Sequence, residues 1–201
     1  MVWAIIAAGY LLGSVQTGPL AVRLARGTDV RTVGSGRTGT TNVLRAAGRW
    51  VALTVLAADA LKGLAPVLAA RALTDEPWAP ASAGLAAVVG HVLPIFSRLR
   101  GGRGVATGIG AAAGLTPLAL AAGLGVFIPV VFLTRYVSLA SISAASAVAV
   151  LFVAMVAIGW EHAATLVFGL GAPGLVVAAH HDNIARLARG TERRLGRPPH
   201  A

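Results

Sequence analysis

The sequence predicts an all-α polytopic membrane protein with about seven transmembrane helices, an outside N-terminus and a cytoplasmic C-terminus. Of its 201 residues, 56% are hydrophobic and only 12% are charged, and the mean hydropathy is +0.77. Soluble domains average about a quarter charged residues, and helices of ~18 or more apolar residues can cross a ~30 Å hydrocarbon core. The arginines lie in short loops between apolar windows, which is the positive-inside pattern and argues against a nucleic-acid-binding protein despite the net charge of +10.

The predicted spans, in chain order, are roughly 2–24, 50–73, 79–96, 104–116, 118–134, 138–158 and 162–179. The first segment lacks a basic n-region, so it is interpreted as a span and not as a signal peptide. Residues 105–134 are glycine-rich at their start and are interrupted by Pro117, which favours two helices over one long tilted helix. Seven spans put every lysine and arginine except Lys62 and Arg71 on one face, the cytoplasmic one. We expect one domain, 1–201, with a short cytoplasmic tail, 180–201.

The stretch from Val33 to Arg45, VGSGRTGTTNVLR, is the expected phosphate-binding loop. Its glycines allow tight turns and close backbone approach to a ligand, and successive N–H groups can form an anion-binding nest. A helix that begins here would offer its N-terminus to an anion. The candidate residues are Gly34, Ser35, Gly36, Arg37, Gly39, Thr40, Thr41, Asn42 and Arg45, of which the two threonines and the asparagine are the N-cap candidates. A flexible, basic cytoplasmic loop is the alternative, and the spacing is not that of a Walker loop.

Further candidates lie inside or at the ends of the predicted spans. Asp59 and Lys62 are three residues apart on one helix face, so they predict an intrahelical ion pair, a charge pair that supports an anion site, or both. His91 lies near a span end as a buried hydrogen-bonding group or as a site residue. The following basic turn repeats the combination of glycines and a fixed cation, in Gly101, Gly102, Arg103 and Gly104.

The last polar candidates follow Arg135 and the final span. Ser138 and Ser141 begin a span on the same face, where they cap and pack a helix or contribute to a site. The tail reads as a short amphipathic helix from which Asn183, Arg186 and Glu192 can reach a polar site, or as a basic segment drawn to anionic lipid. The chain has no cysteine, and its histidines and carboxylates have no metal-ligand spacing, so no metal and no cofactor are expected.

The order of the motifs resembles that of the bacterial acyl-phosphate-dependent glycerol-3-phosphate acyltransferases, the PlsY family. In chain order the motifs read GSxxxG, GSGxxGxTNVLR, DxxKG, GHxxPxF, GGxGVAT, RYVSL and HxxNIxRLxxGxE, and they extend from about residue 11 to about residue 196. The resemblance implies a bacterial inner-membrane enzyme that moves a fatty acyl group from acyl phosphate to the sn-1 hydroxyl of glycerol 3-phosphate, giving lysophosphatidic acid and inorganic phosphate. Its partners would be these substrates and membrane lipid, and a monomer is expected with larger assemblies left open.

The resemblance also implies roles for individual residues. Ser35, Arg45, His91 and Arg103 would be catalytic, with Ser35 and neighbouring N–H groups holding a phosphate. The substrate-binding candidates are Gly34, Gly36, Arg37, Thr41, Asn42, Lys62, Gly101, Gly102, Gly104, Ser138, Ser141, Asn183, Arg186 and Glu192. The base would be His91 or a phosphate oxygen of the substrate.

The sequence departs from the family pattern at four of these motif positions. Arg37 replaces asparagine, Arg103 replaces lysine, His181 replaces arginine and Gln16 replaces a common proline, which bears on rate and substrate identity. The alternative function is a small transporter of a phosphorylated or anionic solute, because intramembrane charges and broken helices suit one. A third possibility is an inactive structural subunit.

Overall fold

The computed structural model describes residues 1–196, and over this range the chain is helical. The helices are α1 Val2–Ser14, α2 Thr17–Arg26, α3 Thr40–Ala47, α4 Arg49–Leu73, α5 Ala79–Val92, α6 Val105–Leu115, α7 Pro117–Thr134, α8 Val137–Ala157, α9 Leu166–Ala179 and α10 His181–Ala188. Residues 197–201, at the end of the expected domain 1–201 and tail 180–201, lie outside the described range.

Five segments are long and apolar enough to cross a membrane, which confirms the prediction of an all-α multi-pass membrane protein. They are Val2–Arg26, Arg49–Leu73, Ala79–Ser97, Pro117–Thr134 and Val137–Ala157. A sixth is obtained if α9 and α10, which meet at a bend of 57°, count as one span. Helix α6 is apolar but has only 11 residues, a length of about 16 Å, so the number of seven spans stays a prediction.

The first span is broken, whereas the sequence was expected to give one continuous helix over 2–24. Helix α1 ends at Ser14, Val15 is extended (φ −67°, ψ 117°), and α2 begins at Thr17. Pro19 lies in the first turn of α2, where its missing N–H costs nothing. In a continuous helix its ring would clash with the Val15 carbonyl. The break therefore follows from a proline that the sequence displays.

The predicted division of residues 105–134 agrees with the helix bounds. Helix α6 ends at Leu115, and α7 begins at Pro117, where proline is tolerated because the first N–H groups of a helix have no intrahelical partner. Helix α6 packs closely along α4, because Gly63 faces the backbone of Thr107 and Gly110 faces the backbone of Ala60 with no room for a Cβ atom.

Two ends of the helix bundle differ in chemistry. At one end α1 and α5 begin side by side, and the rings of Trp3 and Trp78 lie 5.4 Å apart. At the other end α4 begins at Arg49, and the glycine-rich loop, the 98–104 loop and α10 gather around one cavity. Between the two ends the core is apolar and includes an edge-to-face contact of Phe152 with Phe168, whose centroids are 5.9 Å apart. The fold thus places the polar motifs at one end of an apolar bundle.

Candidate active site

A cavity of about 450 Å³ opens at the end of the bundle where the predicted motifs meet. The predicted site residues that line it are Gly34, Ser35, Arg37, Gly39, Thr40, Thr41, Asn42, Arg45, His91, Arg103, Gly104, Ser138, Ser141, Asn183, Arg186 and Glu192. The predicted residues that do not line it are Gly36, Lys62, Gly101 and Gly102. Segments more than a hundred residues apart in sequence therefore share one polar space.

Asn42 shapes the glycine-rich loop from the inside. Its side-chain oxygen accepts a hydrogen bond from the Ser35 backbone N–H at 3.1 Å. Its amide nitrogen lies 2.9 Å from each of three carbonyl oxygens, those of Val30, Val33 and Arg37. Because Asn42 is 2% exposed, this side chain holds the curvature of the loop from within.

Two details of the loop differ from the sequence-based expectation. The N-cap of α3 is Gly39, which makes no side-chain capping bond, and Thr40 and Asn42 lie inside the helix. Gly34 has φ +59°, and a Cβ atom there would overlap the Asn42 side-chain oxygen. Asn42 was expected as a cap but instead points back into the loop, because the glycine backbone leaves room for its amide.

Arginine is the dominant charged residue of the cavity wall. Arg37 forms an ion pair with Asp182 at 3.1 Å, and Arg186 forms one with Glu192 at 2.7 Å. Arg45 and Arg103 form no ion pair with any described residue. Arg193 also lines the cavity without an ion pair, so the cavity holds three cations that the described part of the chain does not neutralise.

Burial and neighbouring charge disfavour the protonated forms of Arg45 and Arg103. Burial, with repulsion from Arg37 and Arg186, lowers the pKa of Arg103 to about 10. Burial and the nearby Arg193 also lower the pKa of Arg45. An anion bound between these guanidinium groups would remove the penalty, so the electrostatics of the cavity favour a phosphate.

Several buried polar atoms on or next to the wall have no hydrogen-bond partner among the described residues. They are Thr40 Oγ1, His91 Nδ1, Arg103 Nε and Asn183 Oδ1. Buried polar atoms are normally paired, and all four belong to residues that line this cavity. Donors and an acceptor are therefore available for a polar ligand.

Glu192 fixes the tail against α8 and α10. Its carboxylate accepts hydrogen bonds from Ser138 Oγ at 2.8 Å, Asn183 Nδ2 at 2.6 Å and Arg186 Nε at 2.7 Å. Burial alone would raise the pKa of Glu192, but these hydrogen bonds outweigh it and hold the pKa below its usual value. The tail continues past this point, and the Leu195 N–H donates to the Arg135 carbonyl at 2.8 Å. Residues 191–195 thus form a strap beside the cavity.

A buried charge pair lies beneath the cavity. The predicted ion pair is present, with Lys62 Nζ 2.8 Å from Asp59 Oδ1, and the two side chains are 4% and 1% exposed. Thr17 Oγ1 donates to the same carboxylate oxygen at 2.6 Å, and Lys62 Nζ donates to the Val15 carbonyl at 2.8 Å. Asp59 lines the cavity and Lys62 does not, so the lysine is connected with the cavity only through neighbours such as Asp59.

His91 connects this charge pair with the 98–104 loop. Its Nδ1 lies 3.7 Å from Asp59 Oδ1, and the other side of its ring faces Gly102, where a Cβ atom would overlap Nε2. The Gly102 N–H also donates to the His91 carbonyl at 3.1 Å. Gly101 and Gly102 therefore pack against His91, and the next residue, Arg103, lines the cavity.

An apolar cavity of about 60 Å³ adjoins the polar one. Its lining comes from α6, α7, α8 and α9, and the two cavities share Val105, Ile109, Leu124, Phe127 and Ser141. A ligand with a polar head and an aliphatic tail would match this sequence of environments.

Some cavity residues were not among the predicted site residues. Seven of them are apolar: Leu56, Val105, Ala106, Ile109, Leu124, Phe127 and Val137. Val105 and Ala106 belong to the GGxGVAT motif and Val137 belongs to RYVSL, whereas no motif contains the other four. His180 and Arg193 also line the cavity, and so does Asp59, which was considered above as part of a charge pair with Lys62. His180 begins the last motif and Asp59 pairs with Lys62. Their positions next to predicted site residues in these motifs were the signal that could have identified them.

Comparison with known proteins places this geometry in context. The family model described as glycerol-3-phosphate acyltransferase matches residues 3–190. The glycerol-3-phosphate acyltransferase of Geobacter sulfurreducens is 47% identical over 190 residues, covering 94% of each chain. That of Myxococcus xanthus is 45% identical over 197 residues, covering 96% of this chain and all of the relative.

Two crystal structures of PlsY (YgiH), an integral membrane glycerol 3-phosphate acyltransferase, share the fold. The glycerol 3-phosphate form superposes with a TM-score of 0.88 at 35% identity and covers 97% of this chain and 96% of its own. The lysophosphatidic acid form gives a TM-score of 0.83 at 34% identity and covers 97% and 95%.

Proposed function

The chain belongs to the glycerol-3-phosphate acyltransferase family, and we propose that its cavity transfers a fatty acyl group from acyl phosphate to the sn-1 hydroxyl of glycerol 3-phosphate. The products are lysophosphatidic acid and inorganic phosphate. The observation that carries the proposal is the pair of arginines, Arg45 and Arg103, in a polar cavity that adjoins an apolar one. The family assignment favours this enzyme over the transporter that the sequence left as an alternative.

The reaction requires no nucleophile from the protein. The hydroxyl oxygen of glycerol 3-phosphate attacks the acyl carbonyl carbon, the bond between that carbon and the phosphate oxygen breaks, and phosphate leaves with the bonding electrons. The hydroxyl proton passes to the His91 imidazole or to a phosphate oxygen. Holding the two substrates in place contributes up to about 7–11 kcal/mol to lowering the barrier, and cations aimed at the developing oxyanion lower it further.

The contacts support a division of roles among the cavity residues. Ser35, whose N–H is held by Asn42 at 3.1 Å, and Arg45 bind one phosphate at the N-terminal end of α3. Arg103 stabilises the charge that develops on the other phosphate, which is the leaving group. Glu192 orients Ser138, Asn183 and Arg186, which shape the polar wall.

Phosphate release tests the proposal directly. Purified protein in a lipidic medium receives palmitoyl phosphate and glycerol 3-phosphate together, then each alone, then palmitoyl-CoA in place of the acyl phosphate. We expect release of phosphate only with both substrates and in equal amount with lysophosphatidic acid. Well-folded protein that releases no phosphate from acyl phosphate contradicts the proposed donor.

Replacing the phosphate-loop residues should lower this activity. We expect Ser35→Ala and Arg45→Ala to reduce kcat/KM about 10- to 100-fold, since each removes a hydrogen-bond donor or a cation from a charged ligand. Arg49→Ala is the matched control, because Arg49 is exposed, lies four residues further on and does not line the cavity. A loss in Arg49→Ala equal to that in Arg45→Ala would show that general surface charge, and not Arg45, supports the rate.

The apolar cavity is proposed to hold part of the acyl chain. Gly108 lines it and has open space where a Cβ atom would lie. Gly108→Val should therefore shift preference toward shorter acyl phosphates, by about tenfold in the ratio of kcat/KM for a long and a short chain. Gly125→Val, at an exposed glycine that also has open space, is the control. An unchanged chain-length profile in Gly108→Val would place the acyl chain elsewhere.

We further propose seven spans in a bacterial inner membrane, with the cavity facing the cytoplasm. Helix α6 counts as the fourth span, because it runs along the second half of α4, from Ala60 to Val67, and the 98–104 loop enters the bundle ahead of it. Every lysine and arginine except Lys62 and Arg71 then lies on the cavity side. The chain has no cysteine, so single cysteines report topology cleanly. A membrane-impermeant thiol reagent should label Asp75→Cys from outside and Arg189→Cys only after lysis; labelling of both from one side contradicts seven spans.

A further inference from the structure

The break between α1 and α2 exposes backbone polar groups inside the bundle, and its side chains make unusual connections. A broken helix in an apolar environment persists only where other groups satisfy its backbone. Here Lys62 Nζ donates to the Val15 carbonyl at 2.8 Å. The next two residues, Gln16 and Thr17, use their side chains to reach other segments, and neither lines the polar cavity.

Gln16 makes hydrogen bonds in two directions. Its Oε1 accepts a hydrogen bond from Thr38 Oγ1 at 2.8 Å, and its Nε2 donates to the His91 carbonyl at 3.4 Å. Thr38 is 2% exposed, so its hydroxyl cannot exchange this partner for bulk water. The pairs are separated by 22 and 75 residues in sequence, so Gln16 links two segments that lie far apart in the chain.

The two segments that Gln16 links carry the cations of the cavity. Thr38 directly follows Arg37 in the glycine-rich loop. The His91 carbonyl also accepts from the Gly102 N–H at 3.1 Å, and Gly102 directly precedes Arg103. A continuous path of hydrogen bonds therefore runs below the cavity from one loop to the other through a single glutamine side chain.

Close packing at the same point reinforces the connection. Gly18 lies so near the Thr38 carbonyl that a Cβ atom would overlap it, and Thr17 Oγ1 donates to Asp59 Oδ1 at 2.6 Å. The start of α2 is thus held against both the glycine-rich loop and α4. Because these contacts fix the backbone next to Gln16, its side chain can determine the positions of the two loops.

We propose that Gln16 is a positioning residue for the acyl transfer. It fixes the separation of the glycine-rich loop from the Arg103 loop, because it hydrogen-bonds to Thr38 of the first loop and to the His91 carbonyl, which also accepts from Gly102 of the second. The inference rests on the proposed function. Two phosphate groups must be held at a distance that brings the hydroxyl to the acyl carbonyl, and a misplacement of about 1 Å can cost about 10²-fold in rate. Each loop keeps its own cation without Gln16, so substrate binding should suffer less than turnover.

The test separates kcat from KM in a short series of variants. Gln16→Leu should lower kcat about 10- to 100-fold and change KM for glycerol 3-phosphate by no more than about threefold. Thr38→Val should lower kcat similarly, and Thr38→Ser should recover most of the loss because it keeps the hydroxyl. Adding Thr38→Val to Gln16→Leu should cost less than about twofold more, since both changes break one connection.

Ser14→Ala is the matched control. Ser14 is 0% exposed, which matches the 2% of Thr38, and it lies two residues from Gln16, but its hydroxyl donates only to the Tyr10 carbonyl within α1, at 2.8 Å. We expect its kcat to equal that of the wild type. Thermal unfolding of every variant shows whether the folded fraction accounts for a loss. If Gln16→Leu does not fold, the Thr38→Val and Thr38→Ser pair gives the same answer.

Each outcome decides for or against the proposal. Suppose that the wild type transfers acyl groups and that Gln16→Leu or Thr38→Val has a kcat within about twofold of the wild-type value. This result overturns the positioning role and leaves the proposed function standing. Additive losses, or equal changes in KM and kcat, overturn it as well. A wild-type protein with no acyl transfer overturns the proposed function and this inference together.

Discussion

Replacing Arg103 with methionine is expected to lower kcat about 10³-fold and at the same time to raise the melting temperature of the ligand-free protein. Both effects follow from the same environment. The guanidinium is partly buried, its Nε has no hydrogen-bond partner among the described residues, and burial together with Arg37 and Arg186 lowers its pKa to about 10. The buried charge therefore lowers the stability of the folded protein, and a phosphate bound in the cavity restores that stability.

The two readouts of the Arg103 prediction oppose each other, which makes the experiment informative. A residue that only supports the fold would lose activity and stability together, whereas a residue kept for ligand charge loses activity and gains stability. Inorganic phosphate, the leaving group whose charge Arg103 is proposed to stabilise, should stabilise the wild type by an amount that rises with its concentration, and this increment should shrink in Arg103→Met. Thermal unfolding with and without inorganic phosphate, next to initial rates of lysophosphatidic acid formation, measures all of these quantities.

Two further variants control the Arg103 experiment. Arg100→Met changes an exposed arginine of the same loop that does not line the cavity, and it should leave kcat unchanged. Arg103→Lys keeps the positive charge but replaces a planar fork by a single ammonium group, and we expect it to retain more activity than Arg103→Met. A kcat of Arg103→Met equal to that of the wild type would contradict the assigned role. A melting temperature so much lower that unfolding accounts for the loss of activity would contradict it as well.

Much of the fold could be predicted because it depends on local composition. Apolar length predicted the helices, and the interruption of residues 105–134 by Pro117 predicted the boundary of α6 and α7, which the structure places at Leu115 and Pro117. The same reasoning should have detected the break in the first span, since Pro19 lies four residues after Val15. It did not, because the apolar window over roughly 2–24 was interpreted as a single span.

Site residues were predictable where glycines flank a polar or charged side chain. They were less predictable for glycines and amides, which can either line a cavity or serve the packing of the backbone. Arg103 and Ser35 line the cavity, as expected from glycine-flanked polar positions. Gly101 and Gly102 instead make room for the His91 backbone and ring. Asn42 serves the loop from inside and not as a cap. Which partner an amide or a glycine finds depends on segments far away in sequence, and one sequence carries no record of that pairing.

Removing the amine of Lys62 should give the largest loss of stability. We expect Lys62→Met to lower the free energy of unfolding by about 3–5 kcal/mol, because it leaves the Asp59 carboxylate buried without its cation. Asp59 is 1% exposed and the Asp59–Lys62 distance is 2.8 Å, so water cannot replace the lost partner. The Val15 carbonyl at the helix break loses its donor as well. Unfolding by SDS in mixed micelles measures the loss, and Leu61→Met, at the adjacent exposed position, is the control.

The double variant Asp59→Asn with Lys62→Met separates charge burial from a direct role in the reaction. Asparagine keeps an oxygen that can accept the 2.6 Å hydrogen bond from Thr17 Oγ1, and no net charge stays buried, so most of the stability lost in Lys62→Met should return. Additive destabilisation would contradict the view that the two charges compensate each other. If activity returns together with stability, the pair serves only as a base for the cavity. If stability returns and kcat does not, the charge of Asp59 next to His91 contributes to the transfer itself.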